Sequence, residues 1–567
     1  MFLFDFFRSF LPLHNPIGFG ASDFLLLVFA FMLAAAAALW RPWIEPHAAR
    51  FAEKTGWCML LLAALPVVLR LALLPHHPVP APDVYDEFSH LLMADTLRHF
   101  RLANAVHPLH QFFETQFVLQ EPSYSSIYPL GQGLILALGW MVFGHPWAGV
   151  LIATAALCAL CYWMLRAWVT PGWALAGGVL AVIEFGPLNQ WMNSYWGGAA
   201  AAAAGCLVFG ALPRLREHAR PRDAVLLGAG FGLHLLIRPY ESIFLALSVL
   251  LFLALVGRTP GPRVRHGRSS HGPILARLAL ALLPAVALLL LQSRQVTGQW
   301  LTLPYTASQY QYGVPAGFTF QSPATPHRDL NREQALNYRM QLSFRGTGGE
   351  TVQSFLERLE YRVRYYRFFF LAPLYLALPG FLWAMRERRF LWVGLTLAAF
   401  AMGSNFYPNF EPHYIAAVTC LFVLVCVVGL QQWERFSRDA AQLIAFVCVA
   451  AFIFWYSMHL FDTQEFSMAV RQYETWDGLN HRNPAARIAV NQQLASLPGK
   501  LLVFVRYYPQ HIFQEEWVYN RADVDASRVV WARDLGADEN EKLRAYYKDR
   551  SVWLLEPDFR PPRLRPY

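Results

Sequence analysis

Long apolar segments alternate with short polar or basic connections along most of the chain. The apolar segments have about the length that an α-helix needs to cross a bilayer, roughly 20 residues. We therefore predict an α-helical polytopic membrane protein. We predict twelve membrane-spanning helices, at residues 23–41, 57–75, 149–166, 173–190, 196–213, 223–237, 241–257, 274–292, 366–385, 390–406, 414–432 and 441–460.

The basic connections predict which loops face the cytoplasm, because Lys and Arg are enriched in cytoplasmic loops. The basic connections lie at residues 41–54, 213–222, 257–270, 386–389 and 434–438. Placing them inside puts loops 76–148 and 293–365, and everything after residue 460, on the external side. This is consistent only if a thirteenth apolar segment, 128–144, enters and leaves on one face. We therefore predict that 128–144 is a juxtamembrane or re-entrant helix, although its apolar character would also suit a span.

The composition changes abruptly after residue 460. Segments 500–508, 527–535 and 550–558 are rich in β-branched and aromatic residues, which is typical of short strands. Segment 537–549 has the pattern of a helix between the last two of them. We predict a transmembrane domain at 1–460 and a small α/β domain at 461–567, exported to the extracytoplasmic side.

The overall composition excludes other classes of protein. Of the 567 residues 56% are hydrophobic and 15% are charged, whereas soluble domains average about 25% charged residues. The net charge of +9 comes from arginines beside apolar segments, so we predict no nucleic-acid partner. The seven cysteines lie in or beside apolar segments and indicate no disulfide framework. The N-terminal segment 1–14 resembles an anchored or interfacial segment and lacks a signal-peptide cleavage site.

Two adjacent carboxylates, Asp86 and Glu87, follow the second predicted span in "PDVYDEFSHLLMADTL". A carboxylate there could accept a proton from an acceptor hydroxyl, or hold a divalent cation against a phosphate. A divalent metal ion is thus a candidate cofactor, with Asp86 and His90, one helical turn apart, as candidate ligands. Two simpler interpretations stay open. Asp86 could cap the helix that follows, and His90 could be an interfacial side chain.

The segment "DVYDEFSHLLMADTL", followed by "YPLGQGLILALGWMVFGHPWAGVLIA", resembles the opening of the C-fold (GT-C) glycosyltransferases that use polyprenyl-phosphate sugars. This superfamily includes the protein O-mannosyltransferases and the lipid A aminoarabinose transferases. Its members carry an Asp-Glu pair in the first external loop and a Tyr-Pro stretch before an apolar segment. "EPHYIAAVTCLFVLV" at 411–425 resembles a later Tyr-containing start of a span. The resemblance implies that Asp86 is the catalytic carboxylate and Glu87 its neighbour.

The resemblance is incomplete in the next external loop, where many relatives place a second acidic residue. The sequence there is "QWMNSYWGGAA", which offers Asn193. Glu184 lies one to two turns inside the preceding span. These two residues are our candidates for a second acidic or polar group in the site.

A lipid-phosphate donor also requires cationic or hydrogen-bonding groups, because its leaving group gains charge as the glycosidic bond breaks. We predict donor-phosphate binding by Arg238, Arg294, His413 and Tyr414, which lie in three separate external connections. Alternatively, Arg294 reaches the lipid headgroups, and Arg238 forms only a structural salt bridge with Glu241.

The resemblance and these residues together predict a membrane glycosyltransferase on the outer face of the cytoplasmic membrane. It would move a sugar from a polyprenyl-phosphate donor to an unidentified acceptor, with membrane lipids and the lipid-linked sugar donor as partners. The aromatic run "LPYTASQYQYGVP" would line a sugar site or form an interfacial belt. One alternative is a transporter or lipid flippase, although no inverted repeat is visible. Another is a non-catalytic scaffold whose exported domain binds a partner.

Overall fold

A computed structural model describes residues 21–257, 272–346, 348–461 and 484–567. The predicted N-terminal anchored segment at 1–14 lies outside these residues, as does nearly all of the basic connection 257–270.

The part of the chain up to residue 461 is mainly helical. From the N-terminal side the helices are α1 Ala21–Ala37, α2 Arg41–Ala52, α3 Thr55–Ala72, α4 Tyr85–Arg98, α5 Leu130–Phe143, α6 Trp147–Leu165, α7 Pro171–Phe185, α8 Ala199–His218, α9 Pro221–Ile237, α10 Glu241–Leu255 and α11 Gly272–Thr297. They continue with α12 Pro304–Tyr312, α13 Arg332–Arg345, α14 Val352–Val363, α15 Leu378–Ala384, α16 Arg388–Ser404, α17 Thr419–Glu434 and α18 Arg438–Leu460.

A helix lies at each of the twelve predicted spans, but the helices differ in length. Within the described residues, seven helices are long and apolar enough to cross a membrane, or eight if one bent pair counts as a span. The bent pair lies where the sequence predicts a single span at 366–385: it joins Val352–Phe369 to Ala372–Ala384 at an angle of 110°. Helices α7 and α10 have 15 residues each. The count of twelve crossings therefore stays a prediction.

The segment predicted to enter and leave on one face forms the short helix α5. Its 14 residues extend about 21 Å at 1.5 Å per residue, less than the roughly 30 Å of a hydrocarbon core. It crosses α6 at a point where a Cβ on Gly139 would lie 2.1 Å from the backbone nitrogen of Gly149. Glycine at both positions lets the two backbones approach this closely.

Residues 484–567 form a mixed sheet with flanking helices. Its elements are α19 Ala485–Ser496, β3 Lys500–Val505, β4 Val529–Arg533, α20 Ala537–Tyr546, β5 Arg550–Glu556 and β6 Arg563–Pro566. The strand order is β4-β3-β5-β6. Strand β3 pairs in parallel with β4 and β5, and β6 pairs antiparallel with β5. Strands thus lie in each segment where the sequence predicts one.

One face of this sheet shares a hydrophobic core with the first large loop of the membrane part. Leu502 and Phe504 of β3 pack in one cluster with Phe112, Phe113 and Leu92. The same loop contains the short antiparallel pair β1 Val118–Leu119 and β2 Ser125–Ser126. The C-terminal residues therefore pack directly on α4 and the loop that follows it.

Candidate functional site

Two adjoining cavities lie between α4, the connections after α9 and α16, and the segment around α12. The first, called here the Asp86 cavity, has a volume of about 330 Å³. The second, called the Glu241 cavity, has a volume of about 480 Å³. Their shared wall includes His90, Tyr128, Trp196, Arg238, Tyr305 and Tyr407.

Asp86 lies at the start of α4 and lines the first cavity. Helix α4 begins at Tyr85, with Val84 in an extended conformation as the N-cap. The Tyr128 hydroxyl donates a hydrogen bond to Asp86 Oδ1. Burial, together with the nearby Asp86 carboxylate, raises the pKa of Tyr128 well above its usual range. Tyr128 therefore stays a hydrogen-bond donor and fixes the carboxylate of Asp86 at the cavity wall.

Glu87 has the capping role that the sequence also allowed for Asp86. Its Oε2 accepts hydrogen bonds from the backbone nitrogens of Asp83, at 2.9 Å, and Val84, at 3.3 Å. Its Oε1 accepts one from the backbone nitrogen of Tyr195, at 2.9 Å. Burial raises the pKa of Glu87, and these amide hydrogen bonds oppose the rise. Because Glu87 is buried and lines neither cavity, its position suits a structural role, and the geometry gives no support to its predicted catalytic role.

Arg238 ends α9 and lines both cavities. Its Nη1 is 3.9 Å from Glu241 Oε1, the pair considered as a structural salt bridge. Its guanidinium carbon is 5.1 Å from the centre of the Tyr414 ring. Its Nε is buried without a hydrogen-bond partner, which is rare for a charged donor and favours a ligand at this position.

His413 and Tyr414 also line the Asp86 cavity. They lie on the short 3₁₀ segment Pro412–Val418 that leads into α17. The rings of His413 and Trp196 are 5.6 Å apart, centre to centre. The structure therefore brings Asp86, Arg238, His413 and Tyr414 to one cavity.

Three other predicted residues do not join them. Arg294 is exposed on α11 and donates a hydrogen bond to the carbonyl of Gly298, so its predicted role at the donor phosphate does not fit the structure. Glu184 is on α7 and lines neither cavity. Asn193 accepts a hydrogen bond from Arg70 Nε at 2.6 Å and donates to two backbone carbonyls. The polar groups of Asn193 are therefore used in hydrogen bonds that stabilise the fold. Neither Glu184 nor Asn193 supplies a second acidic or polar group to the cavities.

A second carboxylate of the Asp86 cavity instead comes from Glu411, which the sequence prediction missed. Its signal was present, because Glu411 begins the segment "EPHYIAAVTCLFVLV" that carries part of the resemblance. Tyr305, in the aromatic run, and Tyr407 complete the shared wall. Sequence spacing alone gives no indication that these residues meet Asp86.

The residues present do not fit a metal site. Asp86, His90, Glu411 and His413 all line the cavity, but no three of these side chains lie close enough together to hold a metal ion. Among the described residues, no group of three or more His, Cys, Asp or Glu side chains could hold a metal ion. The His90 ring stacks on Tyr128 at 4.3 Å, and burial, together with the charge of Arg238, lowers the pKa of His90 to about 3. His90 is therefore neutral near pH 7, and among the described lining residues Arg238 is the only Arg or Lys.

Comparisons with known proteins show a fold relationship without a sequence match. No protein-family model matches the chain, and no curated protein matches it in sequence. The structure of ArnT from Cupriavidus metallidurans in the apo state is similar, with a TM-score of 0.51 and 12% identity, over 89% of this chain and 93% of that chain. The structure of the same protein bound to undecaprenyl phosphate gives a TM-score of 0.51 and 13% identity, over 88% of this chain and 93% of that chain.

A weaker likeness, to the Archaeoglobus fulgidus oligosaccharyltransferase, has a TM-score of 0.36 at 13% identity, over 80% of this chain and 62% of that chain. It is too low to carry an argument. The likeness to ArnT spans nearly the full length of both chains, and at its level of identity it concerns the fold alone. The chain therefore shares the fold of ArnT, in agreement with the resemblance in its sequence.

Proposed function

We propose that this protein is a membrane glycosyltransferase that moves a sugar from a polyprenyl-phosphate donor to an acceptor on the outer face of the cytoplasmic membrane. The observation that carries the proposal is the meeting of Asp86, Arg238, His413 and Tyr414 at one cavity. These residues come from three connections far apart in sequence. A carboxylate, a permanent cation and two further polar rings are the groups that transfer from a phosphate leaving group requires.

Arg238 is the residue proposed to bind the donor phosphate. It lies where the two cavities meet and carries a buried Nε–H that has no protein acceptor. A phosphate oxygen could accept this hydrogen bond, which strengthens as the leaving group gains charge. The Tyr414 ring beneath the guanidinium limits the directions in which Arg238 can point. Arg238 would thereby stabilise the transition state more than the bound donor.

Asp86 is the proposed base. The acceptor hydroxyl attacks the anomeric carbon, its proton passes to the Asp86 carboxylate, and the bond from the anomeric carbon to the phosphate oxygen breaks. The new bond forms on the face opposite the leaving group, so the configuration at the anomeric carbon inverts. The hydrogen bond from Tyr128 holds the carboxylate in place. The carboxylate can then accept the proton of the acceptor hydroxyl.

The fold similarity supports the lipid-linked donor, because one of the ArnT structures of this fold holds undecaprenyl phosphate. The transporter alternative gains no comparable support.

The test is a transfer assay in membranes with a radiolabelled polyprenyl-phosphate sugar. We expect wild-type protein to transfer the label, and Asp86→Asn to lower the rate by about 10²- to 10⁴-fold, the usual contribution of a general base. Movement of the label across the bilayer without bond cleavage would instead identify a transporter. Neither transfer nor movement would favour the scaffold. An Asp86→Asn variant that expresses normally and transfers at the wild-type rate would remove Asp86 from the mechanism.

A further inference from the structure

The C-terminal residues reach the wall of the Asp86 cavity. Gln514, in the connection between β3 and β4, lines this cavity. Its Nε2 is 3.6 Å from the Sδ of Met340 on α13. Met340, Gln341 and Phe344 of α13 line the same cavity, whereas none of these four residues lines the Glu241 cavity. One side of the Asp86 cavity is therefore built jointly by α13 and the C-terminal residues.

A buried ion triad holds α13 against the C-terminal sheet. Arg533, the last residue of β4, contacts Glu333 Oε2 through Nη2 and Glu516 Oε2 through Nη1, the latter at 3.0 Å. The side chains of Arg533, Glu333 and Glu516 are 8%, 3% and 0% exposed. A guanidinium shared by two buried carboxylates has a defined geometry. Removing it leaves Glu516 without its charge partner and Glu333 with only the more exposed Arg332, whose Nη1 is 3.4 Å from Glu333 Oε1. Glu333 lies in the first turn of α13, so the triad joins that helix to the C-terminal sheet.

The same sheet domain also holds α4, which carries Asp86. Asp95 Oδ2 accepts a hydrogen bond from the backbone nitrogen of Ala522, at 2.8 Å. The Phe88 ring stacks on Tyr519, with centres 4.3 Å apart and planes 3° apart. Two walls of the Asp86 cavity, α4 and α13, are therefore both held by the C-terminal domain, α4 through the connection between β3 and β4 and α13 through the last residue of β4.

We propose that the domain formed by residues 484–567 is a positioning element for the acceptor side of the site. Arg533 is a positioning residue that holds α13, and Gln514 contacts the acceptor. The proposal rests on the proposed function, in which the base Asp86 takes its proton from the acceptor. Gln514 and α13 line the cavity that holds the proposed base Asp86, and neither lines the Glu241 cavity, which shares the proposed phosphate-binding residue Arg238 and is the side assigned here to the donor. Disturbing them should therefore weaken acceptor binding and spare donor binding.

The first experiment measures position without activity. Hydrogen–deuterium exchange of residues 332–345 is followed in the full-length protein for wild type, Arg533→Gln and Arg506→Gln. Arg506 is a matched control, because it pairs with Asp534 in the same domain and does not contact α13. We expect Arg533→Gln to speed exchange across α13 by about tenfold or more and Arg506→Gln to leave it unchanged. Equal exchange in all three proteins would overturn the positioning role.

The second experiment uses milder variants, in case Arg533→Gln fails to fold. Glu333→Gln keeps the Arg533–Glu516 pair and removes one charge of the triad. Gln514→Ala removes only the side chain in the cavity wall. We expect each variant to raise KM for the acceptor by about fivefold or more, with KM for the donor within about twofold of wild type. A change in the donor KM alone, or in neither, would overturn the proposal.

The two experiments separate this proposal from the proposed function. If wild-type protein transfers no sugar, the proposed function fails together with the acceptor assignment of Gln514. The exchange measurement still decides whether Arg533 positions α13, because it requires no substrate.

Discussion

At the scale of single residues, two neighbouring carboxylates have different environments. The sequence identifies the pair Asp86–Glu87 and suggests Asp86 as the capping residue, whereas in the structure Glu87 caps the helix. That choice depends on where α4 begins: with Val84 as N-cap, Glu87 is the third helical residue and its carboxylate folds back on the preceding amides. If α4 began one residue earlier, Asp86 would be the third helical residue and would take the capping position that Glu87 has here. Helix ends are least certain in sequence-based prediction because local energies at neighbouring starts differ little.

Substitutions of Arg238 and Arg294 together test whether Arg238 binds the donor phosphate. We expect Arg238→Gln to weaken donor binding by about tenfold or more, since a hydrogen bond to a charged group contributes about 1.5–3 kcal/mol. Arg294→Gln should bind donor as wild type does, because Arg294 is exposed outside both cavities. The measurement is the dissociation constant of a polyprenyl phosphate in detergent solution. Equal effects of the two substitutions would contradict the role of Arg238.

His90 should make the stability of the protein depend on pH. Its pKa is about 3 in the folded protein and about 6.5 in an unfolded chain. Between these values the unfolded state binds a proton that the folded state does not. The contribution of His90 to the free energy of unfolding is therefore fully present above pH 6.5 and decreases as the pH falls. The loss is about 1.4 kcal/mol per pH unit, or about 2 kcal/mol between pH 6.5 and 5.

The measurement is thermal melting in detergent at pH 7 and pH 5. We expect His90→Gln to show a smaller decrease in melting temperature between the two pH values than wild type. His327→Gln, at an exposed histidine, should retain the wild-type decrease. A decrease in His90→Gln as large as in wild type would show that other groups cause the pH dependence.

At the scale of elements, apolar segments predict where helices lie but not how they bend. The predicted span 366–385 contains Pro373 and Pro379, and its chain turns through 110° between Phe369 and Ala372. Proline removes a backbone donor and restricts the residue before it, so a straight helix is disfavoured here. Hydropathy depends on composition over a window and does not register such a break. The strands after residue 500 are easier to predict, because turn residues and charged residues bound each short apolar segment.

The crossing of α5 and α6 offers a test of how packing between elements supports the site. Gly139→Leu would force the two backbones apart, at a cost of about 1–3 kcal/mol. It would also displace the start of α5, next to Tyr128. We expect a lower melting temperature and reduced transfer.

Gly172→Ala is the matched control for this substitution, because a Cβ at Gly172 meets no atom within 4 Å. Alanine there should be neutral or slightly stabilising, by up to about 1 kcal/mol. If Gly139→Leu melts at the wild-type temperature, the close crossing does not constrain the structure.

At the scale of the whole molecule, the site depends on contacts that the sequence does not reveal. Asp86, Arg238 and His413 could each be singled out because a charged or imidazole group beside an apolar span is unusual. Glu411 met the same criterion and was still missed, and Arg294 met it without reaching the cavity. Local chemistry therefore identifies candidates, whereas membership in the cavity depends on the packing of α9, α12 and the segment before α17.

The predicted orientation in the membrane has a direct test, helped by the buried positions of all seven native cysteines. A cysteine introduced at an exposed position, Lys542→Cys, should react with a membrane-impermeant maleimide in right-side-out vesicles. Arg389→Cys, in a basic connection predicted to be cytoplasmic, should react only after the vesicles are opened. Reaction of both, or of Arg389→Cys alone, in sealed vesicles would refute the predicted topology.

The place of Gln514 in the cavity wall has a consequence for biosynthesis. Asp86 and Arg238 are synthesised well before Gln514, which lines the same cavity. A nascent chain that already contains Asp86 and Arg238 still lacks part of the wall of the Asp86 cavity. Under the proposed function, the protein would become competent for transfer only once residues 484–567 have been made and have packed on α4 and α13, which keeps shorter nascent chains from consuming the lipid-linked sugar.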